Sequence, residues 1–251
     1  MNKLHITGGL CLSLLPLLVL GQPTSLRIGV ADSEGPPIAV IEQNTLKSGM
    51  SKDIGEALGQ ALARKVDFVI ISRKRVESSL ENGKVDIVCI ANPVWYGDAG
   101  QLGWTREMFP LVERVAVLAG KPPVHSLGDL VGKRIGTIRG YSYPSLESMW
   151  ANGKASRDTE DRLELVMKAL LINVADAAIV SEQEYGVWAK ANSETARQIR
   201  LSAFQFSSTP TMCAVSPQSH FSVDTLNRAI GRLQQQGKFK AILRSYQWQS
   251  E

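Results

Sequence analysis

The stretch Leu26-Arg27-Ile28-Gly29-Val30, followed after Ala31 by Asp32-Ser33-Glu34-Gly35-Pro36-Pro37, decides how the rest of the chain is read. A short, mostly apolar run ends in a segment of turn formers, which is the pattern of a buried strand and its exit loop. The same pattern returns in Val66-Asp67-Phe68-Val69-Ile70-Ile71 and in Val85-Asp86-Ile87-Val88-Cys89-Ile90. Between the first two lies a helical segment, with Ser51 as its cap, Asp53 in its first turn, and Ile54, Leu58, Ala61 and Leu62 on one face. A short helix over residues 74–82 and the turn Gly83-Lys84 lead into the third strand. Strands that alternate with helices predict parallel α/β sheets, in which ligands sit outside the carboxyl ends of the strands. The loops at Asp32 and at Asn92-Pro93-Val94-Trp95-Tyr96 are therefore candidate site segments.

A strand over residues 114–119 and the break Gly120-Lys121-Pro122-Pro123 open a second set of elements. A short helix over 127–131, a strand over 134–138, the turn Gly140-Tyr141-Ser142 and a helix over 145–151 come first. A helix over 160–171, a strand over 175–180 and a helix over 182–191 follow. A strand over 212–216 and a helical segment over 223–246, broken near Gly237, complete the chain. This order predicts two α/β lobes around a cleft, with residues 22–115 and 208–251 in lobe one and residues 116–207 in lobe two. Binding pockets favour such an interface.

Composition narrows the function classes. The 251 residues are 44% apolar and 21% charged, a balance that supports a buried core. After Lys3, residues 8–20 carry no charge and end in Val19-Leu20-Gly21. The apolar run of about 13 residues is shorter than the roughly 20 that a spanning helix needs. Residues 1–21 therefore read as an export signal cleaved near Gly21, and the mature chain as periplasmic. Cys11 lies within that run behind Leu10, which argues against lipid attachment. The net charge of +4, from which the signal removes only Lys3, is too small to argue for nucleic acid. His5, His125 and His220 have no metal-ligand spacing, and no cofactor motif is present. An oxidising compartment permits a Cys89–Cys213 disulfide, but both cysteines sit in apolar strand-like runs, so the reading favours two buried free thiols.

Several segments, in order, resemble the bacterial extracellular solute-binding proteins of family 3, the binding subunits of polar amino acid uptake systems. They are Gly35-Pro36-Pro37, Gly49-Met50-Ser51-Lys52-Asp53-Ile54, Asn82-Gly83-Lys84-Val85-Asp86, Leu130-Val131-Gly132-Lys133-Arg134-Ile135-Gly136, Arg139-Gly140-Tyr141-Ser142, Ala175-Asp176-Ala177-Ala178-Ile179 and Gly237-Lys238-Phe239. The resemblance implies a type II periplasmic binding fold, hinged and monomeric. It implies closure on a small-molecule solute and delivery to an inner-membrane permease or sensor. It also implies an α-amino acid clamp: an arginine after the third strand for the carboxylate, hydroxyls at the start of a lobe-two helix, and an aspartate after the Asp-Ala-rich strand for the ammonium. Here Trp95 stands in the arginine's place and Ser181 in the aspartate's, with Glu182 beside it.

What remains for ligand contact is Ser142 at a helix start with Arg139 just before it, suited to an anion. Trp95, Tyr96, Trp104, Tyr141 and the nearby Tyr143 suit an aromatic or cationic ligand. Asp32 and Glu34 are loop acids, and Asn92 and Ser181 complete the set. The leading expectation is a non-catalytic binding protein for a small polar or amphiphilic solute. Alternatives are an enzyme of the same fold, a cyclohexadienyl dehydratase with Glu182 or Glu34 as acid, and a ligand-free regulatory partner of a receptor.

Overall fold

The computed structural model describes residues 25–246. The expected export signal, residues 1–21, lies outside these residues. The elements, in chain order, are β1 (Leu26–Ala31), a hairpin of β2 (Val40–Glu42) and β3 (Thr45–Ser48), α1 (Met50–Leu62), β4 (Val66–Ile71), α2 (Val76–Glu81), β5 (Ile87–Ala91), β6 (Gly103–Trp104) and β7 (Phe109–Leu118). Next come β8 (Arg134–Ile138), α3 (Pro144–Ala151), β9 (Ser156–Glu160), α4 (Leu163–Leu171), β10 (Ala177–Ser181), α5 (Glu182–Ala191), α6 (Ser193–Ala196), β11 (Ile199–Val215), α7 (Val223–Gln235) and α8 (Lys238–Tyr246).

The main strands run in the order β4-β1-β5-β11-β7-β10-β8-β9. In lobe one β1 pairs in parallel with β4 and β5, and in lobe two β8 pairs in parallel with β9 and β10. Two long antiparallel strands join the halves: β11 pairs with β7 from Ile199 opposite Leu118 to Thr211 opposite Phe109, then continues beside β5. Apolar side chains cover both faces of each half. Lobe one packs Leu26, Ile54, Leu58 and Ile230 on one face and Leu80, Val85 and Leu102 on the other. Lobe two packs Ile135, Leu146 and Ile179 on one face and Val166, Met167 and Trp188 on the other.

The same brace recurs in both lobes. Ahead of β5, buried Asp86 accepts the Arg27 backbone N–H at 2.8 Å and its guanidinium at 2.8 and 3.0 Å, while Arg27 also donates to the Gly83 carbonyl. Ahead of β10, Asp176 accepts the Arg134 backbone N–H at 2.8 Å, and Arg134 donates to the Asn173 carbonyl. In both cases the preceding helix ends in a left-handed residue, Gly83 or Asn173. An aspartate one residue before a strand thus ties it to its parallel neighbour.

The structure corrects several expectations. Helix α1 starts at Met50, with Gly49 rather than Ser51 as its cap. Gly49 has φ 118°, and a side chain there would meet the Ile38 carbonyl at 2.7 Å. The helix expected from residue 160 begins at Leu163, because residues 156–160 form β9, a polar edge strand without the apolar alternation that marks strands in sequence. The strand expected at 212–216 is the end of the 17-residue β11. Cys89 and Cys213 are not free thiols; neighbouring strands β5 and β11 bring them together as a disulfide.

Two outcomes follow. Asp86→Ala leaves the half-buried Arg27 backbone N–H unpaired and takes the carboxylate from its guanidinium, and should cost about 2–4 kcal/mol in urea unfolding, whereas the exposed counterpart Asp176→Ala should cost less than about 1 kcal/mol. Because the disulfide spans 124 residues of sequence, the Cys89→Ala/Cys213→Ala variant should lose about 2–4 kcal/mol, and a reductant should have no further effect on it.

Candidate functional site

The carboxyl ends of the strands of both lobes face one another across the β7–β11 ribbon. The loop after β1 contributes Glu34, the segment after β4 Arg73, and the turn after β5 Trp95. The loop after β8 contributes Tyr141 and Ser142, the junction of β10 and α5 contributes Ser181 and Glu184, and β7 itself contributes Leu111 and Glu113. Together with Ile38, Ile90, Ile138, Tyr143 and Ile179 they enclose a cavity of about 50 Å3. A wider cavity of about 850 Å3 opens outside it, between the Asp32–Glu42 and Ser72–Lys74 segments of lobe one and the Arg139–Gly140 and Asp161–Glu164 segments of lobe two.

The lobes touch across this cleft through polar contacts. The Tyr141 hydroxyl donates to Glu34 Oε2 at 3.0 Å, and Arg73 Nε donates to the Gly140 carbonyl at 3.2 Å. The Arg73 guanidinium lies 5.2 Å from the centre of the Tyr141 ring and 3.7 Å from Glu34 Oε1. Gly140 makes this crossing possible: at φ 78° it has no side chain, and a Cβ there would come within 2.8 Å of Arg73 Cγ. Such a closed arrangement holds the inner cavity shut around little free space.

Three carboxyl groups border the cavity, and burial governs all three. Glu113 accepts from Ser207 Oγ at 2.6 Å, and Glu184 accepts from Ser181 Oγ at 2.6 Å. Loss of water raises each of Glu34, Glu113 and Glu184 above the ordinary carboxyl range. Opposing this are Arg73 and the Tyr141 hydroxyl at Glu34, the Ser207 hydroxyl at Glu113 and the Ser181 hydroxyl at Glu184. Glu184 is pushed up to about 8, with the negative charges of Glu34, Glu113 and Glu164 adding to the burial effect.

The residues singled out in the sequence divide into groups. Trp95, Tyr141, Ser142 and Ser181 line the inner cavity, as does Tyr143. Tyr96 lines a smaller neighbouring space behind Trp95 and meets Trp104 edge to face at 5.1 Å. Three others do not line the inner cavity. Asn92 is buried and structural, accepting from the Val94 N–H and donating to the Pro210 carbonyl. Trp104 donates to the Ala99 carbonyl and packs beneath Tyr96. Arg139 borders the wider outer cavity, where it pairs with Asp161 at 2.7 Å, apart from Ser142 in the inner one. Asp32 stays at the mouth, where it caps the Arg73 N–H at 3.1 Å. Glu182 pairs with Arg114 at 2.5 Å outside the cavity.

Arg73, Glu113 and Glu184 were not singled out. Arg73 belongs to an Arg73-Lys74-Arg75 run that resembles a solvated face, and Glu113 sits in a strand whose partner is 94 residues away. Glu184 did carry a signal: Ser181 followed three residues later by an acid is the spacing of a capping box. Ser181 Oγ accepts the Glu184 N–H at 3.2 Å, closing one half of that motif.

The chain belongs to the bacterial extracellular solute-binding proteins, family 3, whose family model matches residues 26–249. No curated protein matches it in sequence. Among solved structures it is similar to an ancestral arginine-binding protein bound to arginine, with TM-score 0.73 and 21% identity over 88% of this chain and 97% of that one. A histidine kinase sensor domain with similarity to periplasmic binding proteins gives TM-score 0.74 and 18% identity over 88% and 94%. The arginine-, lysine- and histidine-binding protein of the thermophilic bacterium Geobacillus stearothermophilus gives 0.72 and 17% over 91% and 97%. At these identities the likeness establishes the shared two-lobe type II periplasmic binding fold.

The buried acid makes a testable demand on stability. A carboxyl group raised in the folded state binds a proton that the unfolded chain has already lost, so stability falls as pH rises from the ordinary carboxyl range toward 8. Glu184→Gln removes that cost and keeps a partner for Ser181. In urea unfolding the variant should exceed the parent by about 1–3 kcal/mol at pH 8, with the advantage largely gone at pH 5. A pH-independent difference would contradict the assignment.

Proposed function

We propose that this chain is an exported, periplasmic binding protein that captures a small polar or amphiphilic solute between its lobes and presents the closed form to an inner-membrane permease or sensor. The observation that carries this reading is the inner cavity: it lies at the strand ends of both lobes, is lined by both, and is closed by contacts that cross from one to the other. Contacts of that kind break when the lobes part, so a solute that replaces them can shift the balance between open and closed forms. The mature chain acts as a monomer, with its lobes divided near residues 115/116 and 207/208, inside the β7–β11 ribbon.

Trp95, Tyr141, Ser142 and Ser181 are the ligand contacts retained from the sequence reading, now joined by Glu34, Arg73, Glu113 and Glu184. The solute is not held by the standard α-amino acid clamp, because Trp95 and Ser181 occupy its two charged positions. Support for a transport or sensing role comes from family membership and from relatives described as the substrate binding protein of an amino acid ABC transporter and as a sensor domain. We read the role as binding rather than catalysis.

A thermal-shift screen of the purified chain against amines, amino acids, dicarboxylates and aromatic acids tests this reading. A solute at 100 times its dissociation constant should stabilise the chain by about 2.7 kcal/mol, and Trp95→Ala should abolish the shift. No stabilisation by any solute would remove the support for it, and turnover of prephenate or arogenate would replace it with an enzyme.

A further inference from the structure

Resting on the cavity as the solute site, we propose that its ligand is a small organic cation without a carboxylate, a protonated amine or guanidinium on a short apolar body. Three acids reach the cavity from three separate elements: Glu34 from the loop after β1, Glu113 from β7 and Glu184 from α5. Each accepts one bond from a hydroxyl; Glu34 is further paired with Arg73 at 3.7 Å, whereas the Glu113 and Glu184 carboxyl groups have no other partner among the described residues, which leaves most of their acceptor capacity unused. Glu184 is the sharpest case: the residue is only 6% exposed, yet its Oε1 has no hydrogen-bond partner among the described residues while the residue borders the cavity.

The only cation bordering the cavity, among the described residues, is Arg73. It already spends its guanidinium on Glu34, the Gly140 carbonyl and the Tyr141 ring. The other nearby arginines are also engaged. Arg114 pairs with Glu182, Arg139 with Asp161, and Arg157 lies over the Tyr143 and Trp150 rings. A ligand carboxylate would thus add a fourth acid to a space with no free receptor for it. A ligand cation would meet open carboxyl oxygens, with Trp95, Tyr141 and Tyr143 as aromatic surface and Ile90, Ile138 and Ile179 as apolar wall. Among the described residues no group of three or more acids, histidines or cysteines is placed to hold a metal ion, and the apolar and aromatic walls suit an organic cation.

Binding should be linked to pH. Arg73 and Tyr141 face Glu34; Ser207 and Tyr143 face Glu113; Ser181, Tyr141 and Tyr143 face Glu184, with Glu34, Glu113 and Glu164 further off. Only Arg73 among these favours ionisation by its charge. The empty cleft therefore retains protons that a bound cation displaces, and affinity increases with pH up to about 8, where Glu184 ionises unaided.

Titration calorimetry on matched pairs tests the proposal: agmatine against arginine and cadaverine against lysine, from pH 6 to pH 8, in two buffers of different ionisation heat. The amine of at least one pair should bind at least about tenfold more tightly than its amino acid, release protons and strengthen with pH. Glu113→Gln and Glu184→Gln should each weaken it about tenfold while remaining folded by circular dichroism. An amino acid that binds as well as its amine, or the failure of both amines to bind, would overturn the cation assignment. If another solute then bound and Trp95→Ala abolished that binding, the cavity would stand as the solute site. Amine binding untouched by all three substitutions would overturn the site itself.

Discussion

The paired strands β7 and β11 determine where everything else can be. Both half-sheets are built outward from this ribbon, whose register runs from Ile199 opposite Leu118 to Thr211 opposite Phe109, with shifts between Leu201 and Ser207. Because β11 is antiparallel to β5 and to β7, and β7 in turn is antiparallel to β10, the parallel strands of the two lobes run in opposite directions and their carboxyl ends point into the same gap. The cleft is a consequence of strand direction, and the loops that line it are those that follow β1, β4, β5, β8 and β10. Glu113 lies on the ribbon itself, so the floor of the cavity carries an acid whichever way the lobes move.

Around that floor the site is electrostatically incomplete. Of its three buried or half-buried carboxyl groups only Glu34 is paired with an arginine, and dehydration pushes each toward its neutral form. Arg73 occupies part of the space a ligand would use, sandwiched between Glu34 and the Tyr141 ring across Gly140. In physical terms the closed state is stabilised by an internal cation and by retained protons. Any solute that competes must offer positive charge, apolar surface, or both. Glu184, one helical turn beyond Ser181, reaches back to accept from its hydroxyl and so places an acid at the end of β10.

Much of the fold is legible in the sequence because buried parallel strands are short, apolar and bounded by turns, as in Leu26–Ala31 and Ile87–Ala91. What escaped was structure that does not bury an apolar face: the edge strand β9, Ser-Arg-Asp-Thr-Glu, and the mixed first half of β11. The site was partly legible. Trp95, Tyr141, Ser142 and Ser181 follow strands, where position alone marks them. Arg139 sits on the same kind of loop, but Asp161 draws it outward. Glu113 and Ser207 meet only through the register of the ribbon, which local sequence does not specify, and the pairing of β11 with β5 likewise brings Cys89 to Cys213.

The central claim is that the interlobe cavity keeps carboxyl groups dry and uncompensated until a solute completes them. Carbon-13 NMR titration of the glutamate carboxyl resonances measures this directly, with Glu184→Gln identifying the signal of interest. The account predicts that the resonance missing from the variant titrates near pH 8 in the empty protein and moves to lower pH when a solute binds. A resonance that titrates in the ordinary carboxyl range in the empty protein would contradict it.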